Sequence, residues 1–267
     1  SNVVANMLFG AISGSGAAAA AAMGGTIGPM EKKEGYDPVY SAGVNIASAP
    51  TGMLIPPSNL MIVCSTIAGS VSVAALFTGG YVPGILWGLL VMFLAGVKAK
   101  KCGYVAERRI PAKMTGIITF MIGLSSIMSW VMAFTNIPEL VSTALLSVSS
   151  NKFIILFLIN IILLIVGTFM DMTPACLIFT PIFLPVCTAL GMTTIHFGIM
   201  MIFNLCIGTI TPPVGTTLFV GVKVGKVQIE TVFRQLLVYF AAIFIVLMLV
   251  TYIPNLSLWL PKLMGYI

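Results

Sequence analysis

Charge is what this sequence has least of. Only 7% of its 267 residues are charged and 59% are hydrophobic, against about a quarter charged in a soluble globular domain. So few polar groups cannot cover a folded chain with a water-compatible surface. That excludes a soluble domain and leaves an integral membrane protein. Acidic residues are scarcer still, seven against thirteen lysines and arginines, for a net charge of +6. Aromatic and basic residues do not interleave, and the basic residues sit between apolar runs, so the excess is no sign of nucleic-acid binding. No CxxC pair occurs among Cys64, Cys102, Cys176, Cys187 and Cys206, so neither a zinc site nor a disulfide framework follows. A single histidine and a single deep acid supply neither a Ser–His dyad nor paired aspartates, and an enzyme is rejected. The sequence Gly14-Ser-Gly16 is not followed by the Gly-Lys-Ser/Thr of a phosphate loop, and small-residue packing in a tight hairpin explains it better.

What is present is apolar length. No charged residue occurs from Pro38 to Val97, a run sufficient for two crossings at about 20 residues each. Further apolar stretches run over Met114–Phe134, Phe153–Met170, Thr173–Val186, Ile195–Val222 and Val238–Ile253. All are expected to be helices, because open strand edges cannot be satisfied in lipid and no barrel alternation is present. The chain begins Ser-Asn-Val-Val within an apolar stretch, without methionine or a basic leader. An N-terminal part is therefore expected to be missing.

The basic residues fall into clusters: Lys32 and Lys33; Lys98, Lys100, Lys101, Arg108, Arg109 and Lys113; Lys223, Lys226 and Arg234. If Ser1–Pro29 and Phe153–Val186 are re-entrant hairpins, all eleven lie on one face and only Lys152 and Lys262 on the other. Full crossings would scatter them. The positive-inside asymmetry favours the hairpins.

Sliding the chain against itself by 156 residues superposes Pro29 on Pro185, Gly35 on Gly191, Gly52 on Gly208, Pro56-Pro57 on Pro212-Pro213, Gly69 on Gly225 and Phe77 on Phe233. Glycine and proline dictate backbone shape, so two copies of one backbone are expected. The expected fold is an all-α membrane protein, an inverted-repeat elevator transporter with two re-entrant helical hairpins and two broken transmembrane helices. Residues 1–97 form the first copy with its start missing, 98–113 a cytoplasmic basic connector, and 114–267 the second copy. The second copy would hold a span, a hairpin, a broken helix, an amphipathic helix over Val227–Leu237 and a last span. Val71–Phe77 is the uncharged counterpart of that amphipathic helix.

Each copy carries two interruptions. Hairpin tips are expected at Gly10–Gly16 and Gly167–Pro174, and broken spans at Ser48–Asn59 and Gly208–Gly215. Paired prolines remove amide donors, and unwound backbone survives at membrane depth only where it is buried or lines a cavity. The freed carbonyls and hydroxyls suit a sodium ion, and half-helix N-termini suit an anionic substrate group. Asp171 is a candidate by its depth alone, with helix capping as the plain alternative. Ser13, Ser15, Thr209 and Thr211 could hold an ion or merely satisfy local backbone. Asn59 and Asn204 read as helix–helix hydrogen bonds, His196 as interfacial, and Trp87, Trp130 and Trp259 as interfacial belts.

The motifs Phe9-Gly-Ala-Ile-Ser-Gly-Ser15, Ile55-Pro-Pro-Ser58, Met170-Asp-Met-Thr-Pro174 and Gly208-Thr-Ile-Thr-Pro-Pro-Val-Gly215 resemble the large membrane subunit of tripartite ATP-independent periplasmic (TRAP) transporters. The likeness covers the C-terminal part of that subunit. Glu31–Asp37 followed by Ser48–Gly52 looks most like the sialic-acid branch, which includes forms with fused small and large subunits. The resemblance implies sodium-coupled uptake of an organic carboxylate across a bacterial inner membrane, with sodium as coupling ion and no organic cofactor. It also implies a small four-helix membrane subunit, separate or fused, and a periplasmic binding protein that delivers the substrate. Carried over by position, a first sodium site takes Ser13, Ser15, Ser48, Pro50, Thr51 and Gly52. A second takes Gly167, Thr168, Asp171, Gly208, Thr209 and Thr211. The substrate would lie near Ser58, Asn59, Asp171 and Thr173. The alternatives are a C4-dicarboxylate permease of the same family, or a stand-alone dicarboxylate or citrate elevator carrier. A channel would be separated from all of these by its lack of saturable, sodium-stimulated uptake.

Overall fold

A computed structural model describes residues 2–69, 71–104 and 151–266. The expected span Met114–Phe134, together with Arg108, Arg109, Lys113 and Trp130, lies outside the described residues. Among the described residues every regular element is helical. In chain order these are α1 (Asn2–Ser13), α2 (Gly16–Lys33), α3 (Pro38–Ser48), α4 (Thr51–Leu54), α5 (Asn59–Ile67) and α6 (Val73–Lys101). After the undescribed stretch follow α7 (Lys152–Phe169), α8 (Met172–Ala189), α9 (Thr194–Gly208), α10 (Thr216–Gly225), α11 (Ile229–Tyr252) and α12 (Asn255–Leu263). Of these, α6, α7, α8 and α11 are long and apolar enough to cross a membrane, and the bent pair Pro38–Leu54 and Asn59–Ile67 could form a fifth span.

The helix boundaries repeat at the spacing read from the sequence. Adding 156 carries the end of α1 at Ser13 to the end of α7 at Phe169, and all of α2 onto α8. The start of α3 at Pro38 falls on Thr194, the start of α9. Both proline pairs contain a cis bond, and Gly35 and Gly191, which close α2 and α8, share a positive φ of 83° and 77°. Local chemistry explains the boundaries. Ser15 caps α2 by accepting from the Ala18 amide, Asp37 caps α3 ahead of Pro38, and Thr193 caps α9. Each fills one of the orphan amides that every helix start leaves.

Four expectations need correction. Val227–Leu237 is no separate amphipathic helix: from Ile229 the chain runs as one helix to Tyr252, because no glycine or proline interrupts it. Its first turns do keep a polar face, with Glu230 and Arg234 exposed and Val232 and Leu236 buried. The counterpart at Val71–Phe77 likewise becomes the start of α6. Trp87, expected at an interface, is fully buried in the middle of α6, while Trp259 is 58% exposed. His196 is also buried, its Nε2 2.7 Å from the Val250 carbonyl, rather than facing an interface.

The basic clusters within the described residues gather at one end of the helices. Tyr36 stacks on Tyr104 at 4.6 Å between ring centres, placing the Lys32–Lys33 turn beside the end of α6. From that end Lys98 donates to the Gln235 carbonyl at 3.2 Å and lies over the Tyr239 ring. Lys152 stands at the other end, where it borders a cavity of about 320 Å³ with Thr193, His196 and Tyr252. Small residues on α6 admit the broken span: a Cβ on Gly84 would stand 2.8 Å from Ile55 Cγ1 and 3.2 Å from Leu54 Cβ. Apolar burial gives little driving force between helices in lipid, so such close packing has to hold them together.

Candidate functional site

Each hairpin lies against the break of its own copy. In the first copy the contact is backbone on backbone: a Cβ on Gly10 would stand 2.8 Å from Gly52 Cα and 3.3 Å from the Ala49 carbonyl oxygen. In the second copy, a Cβ on Gly208 would stand 2.6 Å from Gly167 Cα and 2.6 Å from its carbonyl oxygen. The second helix of each hairpin then reaches the other copy's half-helix. Helix α2 packs along α10, and α8 along α5.

The breaks free backbone carbonyls, and most find substitutes. Ser48 O accepts from the Thr51 hydroxyl at 2.6 Å. Ala47 O accepts from the Trp87 indole at 3.0 Å, which accounts for a tryptophan at that depth. In the second copy Thr168 O accepts from the Val214 and Gly215 amides, and Thr209 O from those of Thr217 and Leu218. Among the described residues, no hydrogen bond reaches the carbonyls of Ala49 or Gly167, the two that face the glycine contacts. Backbone oxygens buried without a donor are uncommon, and one stands at each contact.

The expected first-site residues are brought together. Ser13 at the end of α1 donates to Ser15 O at 3.3 Å, and the tip from Gly10 to Gly16 covers Ala49–Met53, with a Cβ on Gly16 falling 3.5 Å from Pro50 Cα. The second-site residues Gly167, Thr168, Gly208, Thr209 and Thr211 likewise meet: a Cβ on Gly215 would stand 2.8 Å from Thr211 O and 3.1 Å from Thr209 O. The hydroxyls of Ser48, Thr51, Thr168, Thr209 and Thr211 each donate to a carbonyl three or four residues back. That is the local satisfaction expected of membrane hydroxyls, and it leaves the threonine lone pairs free to meet a cation, whereas Ser48 Oγ also accepts from Asn6 Nδ2 at 2.9 Å.

Asp171 occupies the cap position before α8, half-buried, its carboxylate turned toward the Met172 and Thr173 amides without a well-formed capping bond. Asn59 lies against tip one, with its Nδ2 3.0 Å from where a Gly14 Cβ would be. Ser58 caps α5 by position, yet its hydroxyl is fully buried and unpartnered among the described residues. Thr173 is exposed, and no hydrogen bond joins Asp171 or Thr173 to Ser58 or Asn59. The packing of α8 on α5 brings their helices together without joining these side chains.

Sequence reasoning missed several residues. Thr217, in the first turn of α10, has a hydroxyl as buried and unpartnered among the described residues as that of Ser58, 3.0 Å from where a Gly16 Cβ would be. The Gly16 amide at the head of α2 donates to the Met53 sulfur at 3.1 Å. Asn6, Asn45 and Asn160 are buried amides in apolar helices. Their signal was polarity at depth, which had been weighed for Asn59 and Asn204 alone. Asn204 does bridge helices, to Asn160 at 2.8 Å.

Comparison with known proteins places this geometry in one family. The pattern described as "Tripartite ATP-independent periplasmic transporter, DctM component" matches residues 1–111 and 110–256. The uncharacterized protein YgiK of Salmonella typhimurium is 43% identical over 98% of this chain and 75% of its own length. The sialic acid TRAP transporter large permease protein SiaM of Vibrio cholerae is 29% identical over 99% of this chain and 78% of its own. The C4-dicarboxylate TRAP transporter large permease protein DctM of the same organism is 30% identical over 98% and 77%. Apolar helices able to span a bilayer, joined through tight tips and broken by proline pairs, are thus those of a permease: the chain belongs to the DctM family of TRAP transporter large membrane subunits, proteins of the inner membrane.

Proposed function

We propose that this chain performs sodium-coupled uptake of an organic carboxylate, sialic acid in the first instance, handed over by a periplasmic binding protein. The observation that carries the reading is the pair of glycine contacts, each with a carbonyl that no hydrogen bond reaches among the described residues, at Ala49 and Gly167. Sodium is a hard cation that takes such oxygens, and broken helices are where secondary transporters hold their coupling ions. The first ion would lie among Ser13, Ser15, Ser48, Pro50, Thr51 and Gly52, with Ala49 added. The second would lie among Gly167, Thr168, Asp171, Gly208, Thr209 and Thr211. The substrate carboxylate would meet the half-helix N-termini at Ser58, Asn59, Asp171 and Thr173, and Thr217 joins them by its free hydroxyl. Helix α5 begins behind Ser58 and α10 behind Gly215, so both present positive dipole ends.

The two copies, 1–97 and 114–267, are related by inverted topology about the connector 98–113 in this reading. The gathering of basic residues at one end supports it. Two hairpins docked on two breaks form one packed body, which would move as an elevator against the rest of the transporter and the small membrane subunit. A C4-dicarboxylate as substrate is the second reading, favoured by the 30% identity to DctM of Vibrio cholerae. Uptake of labelled sialic acid and of labelled succinate into proteoliposomes decides between them. The complete transporter is assayed with and without an inward sodium gradient and with and without binding protein. Uptake that needs both establishes the tripartite symport, and uptake that ignores sodium overturns it.

A further inference from the structure

Below each glycine contact lies a second link between hairpin and broken span. Asn6 on α1 has its Nδ2 2.9 Å from Ser48 Oγ and from Asn45 Oδ1 on α3, and as close to Asn2 Oδ1 in its own helix, so its two hydrogens are shared among these acceptors. Asn45 is itself held by donating to Ala20 O on α2, and Ser48 Oγ by donating to Val44 O. Their acceptor sides therefore face Asn6. In the second copy Asn204 on α9 donates to the carbonyl and the side-chain oxygen of Asn160 on α7, at 2.9 and 2.8 Å. Asn160 is fixed in turn by donating to Leu156 O and Thr251 Oγ1. All five clasp residues are at most 2% exposed.

The two clasps are not copies of one sequence motif. The offset of 156 carries Ser48 onto Asn204, but Asn6 onto Ile162 and Asn160 onto Val4. Different positions on the hairpin have reached the same position on the broken span. That position stands four residues before the contact glycine, Gly52 or Gly208, which is one helical turn below the break. Each clasp also leaves an amide oxygen buried with no partner among the described residues, Asn6 Oδ1 and Asn204 Oδ1. An apolar pair would avoid that cost, so stability alone does not account for these amides.

We propose that Asn6 and Asn160 are positioning residues for the coupling ions. Each holds its hairpin in register on the broken span, and so sets the geometry of the glycine contact and of the donor-less carbonyl beside it, Ala49 on the break of the first copy and Gly167 on the tip of the second. This rests on the sodium-coupled reading above. Groups that orient a metal's ligands typically change its affinity by about 10- to 100-fold when removed.

The test uses the complete transporter in proteoliposomes, measuring uptake against sodium at saturating substrate and against substrate at saturating sodium. Asn6→Ala and Asn160→Ala should each raise the half-saturating sodium concentration about tenfold or more, with a far smaller change in substrate KM. Asn6→Ser, which is shorter but still polar, provides a second variant should the alanine form not insert. Thr180→Val, which removes a buried hydroxyl that donates to Cys176 O in its own helix and lies 3.7 Å from the Met201 sulfur of α9, should lower the melting temperature without moving the sodium curve. Sodium curves for both asparagine variants that overlay the wild type would overturn the positioning role. A wild type that ignores sodium would instead overturn the parent reading, and this inference with it.

Discussion

Gly10 and Gly52 meet with no room for a side chain on either: a Cβ on Gly10 would stand 2.8 Å from Gly52 Cα. Gly167 and Gly208 meet in the same way, Gly208 lying 156 residues beyond Gly52 and Gly167 lying 157 beyond Gly10. Gly52→Ala and Gly208→Ala should therefore push the hairpin off the break, at an overpacking cost of about 1–3 kcal/mol. Transport should fall at least about tenfold. Gly28→Ala and Gly96→Ala, where a Cβ would meet nothing within 4 Å, should leave uptake unchanged. Radiolabelled uptake normalised to membrane protein checks all four, and equal activity across them would refute the contact's importance.

Asp171 is a half-buried carboxylate without a firm capping bond. Asp171→Asn removes its charge and keeps its shape, so the protein should insert and melt as the wild type does while uptake drops about tenfold or more. Unaltered uptake and sodium dependence would remove Asp171 from the site.

Trp87 connects α6 to a carbonyl freed by the break in the first copy, and its ring packs on Phe203 of α9 at 4.8 Å. Trp87→Phe keeps the packing and loses the hydrogen bond, which should cost about 1 kcal/mol. Trp87→Ala should cost about 3–5 kcal/mol. Thermal unfolding of the purified transporter in detergent should rank wild type above Trp87→Phe and that above Trp87→Ala. A tryptophan in an interfacial belt would give no such order.

Ser15 caps α2 through the Ala18 amide at 3.3 Å, so Ser15→Ala should lower stability by about 0.5–2 kcal/mol whatever else the residue does. Ser15→Gly should lose only a few tenths as a cap while removing the same hydroxyl. If Ser15 is an ion ligand, both variants shift the sodium activation curve equally despite their different melting temperatures. If it is a cap alone, neither does.

The breaks were legible because they are written in glycine and proline, whose backbone effects are local. Pro56-Pro57 and Pro212-Pro213 mark the half-helix starts, and Gly35 and Gly191 the ends of α2 and α8. What was misread depends on neighbours. Trp87 looked like a span end because the uncharged run from Pro38 to Val97 carries no mark of where its second helix begins. Only the Ala47 carbonyl, forty residues away, explains it. The amphipathic pattern at Val227–Leu237 was real, but nothing in it says whether the helix stops. Asn6 and Asn160 carry no comparable mark, since their spacing does not repeat. Their partners are fixed by how the hairpins dock, which no local pattern records.

Equal helix lengths in the two copies have a consequence for which changes of length the chain can absorb. Helices α2 and α8 both have 18 residues, and each fits between a tip fixed on one side and a glycine turn on the other. One residue inserted in either would rotate everything beyond it by about 100° and lift it by about 1.5 Å. The face now turned to the partner half-helix would then look elsewhere. Insertions and deletions should therefore be excluded from both hairpins and both breaks, leaving the stretch between the copies as the place where length can drift.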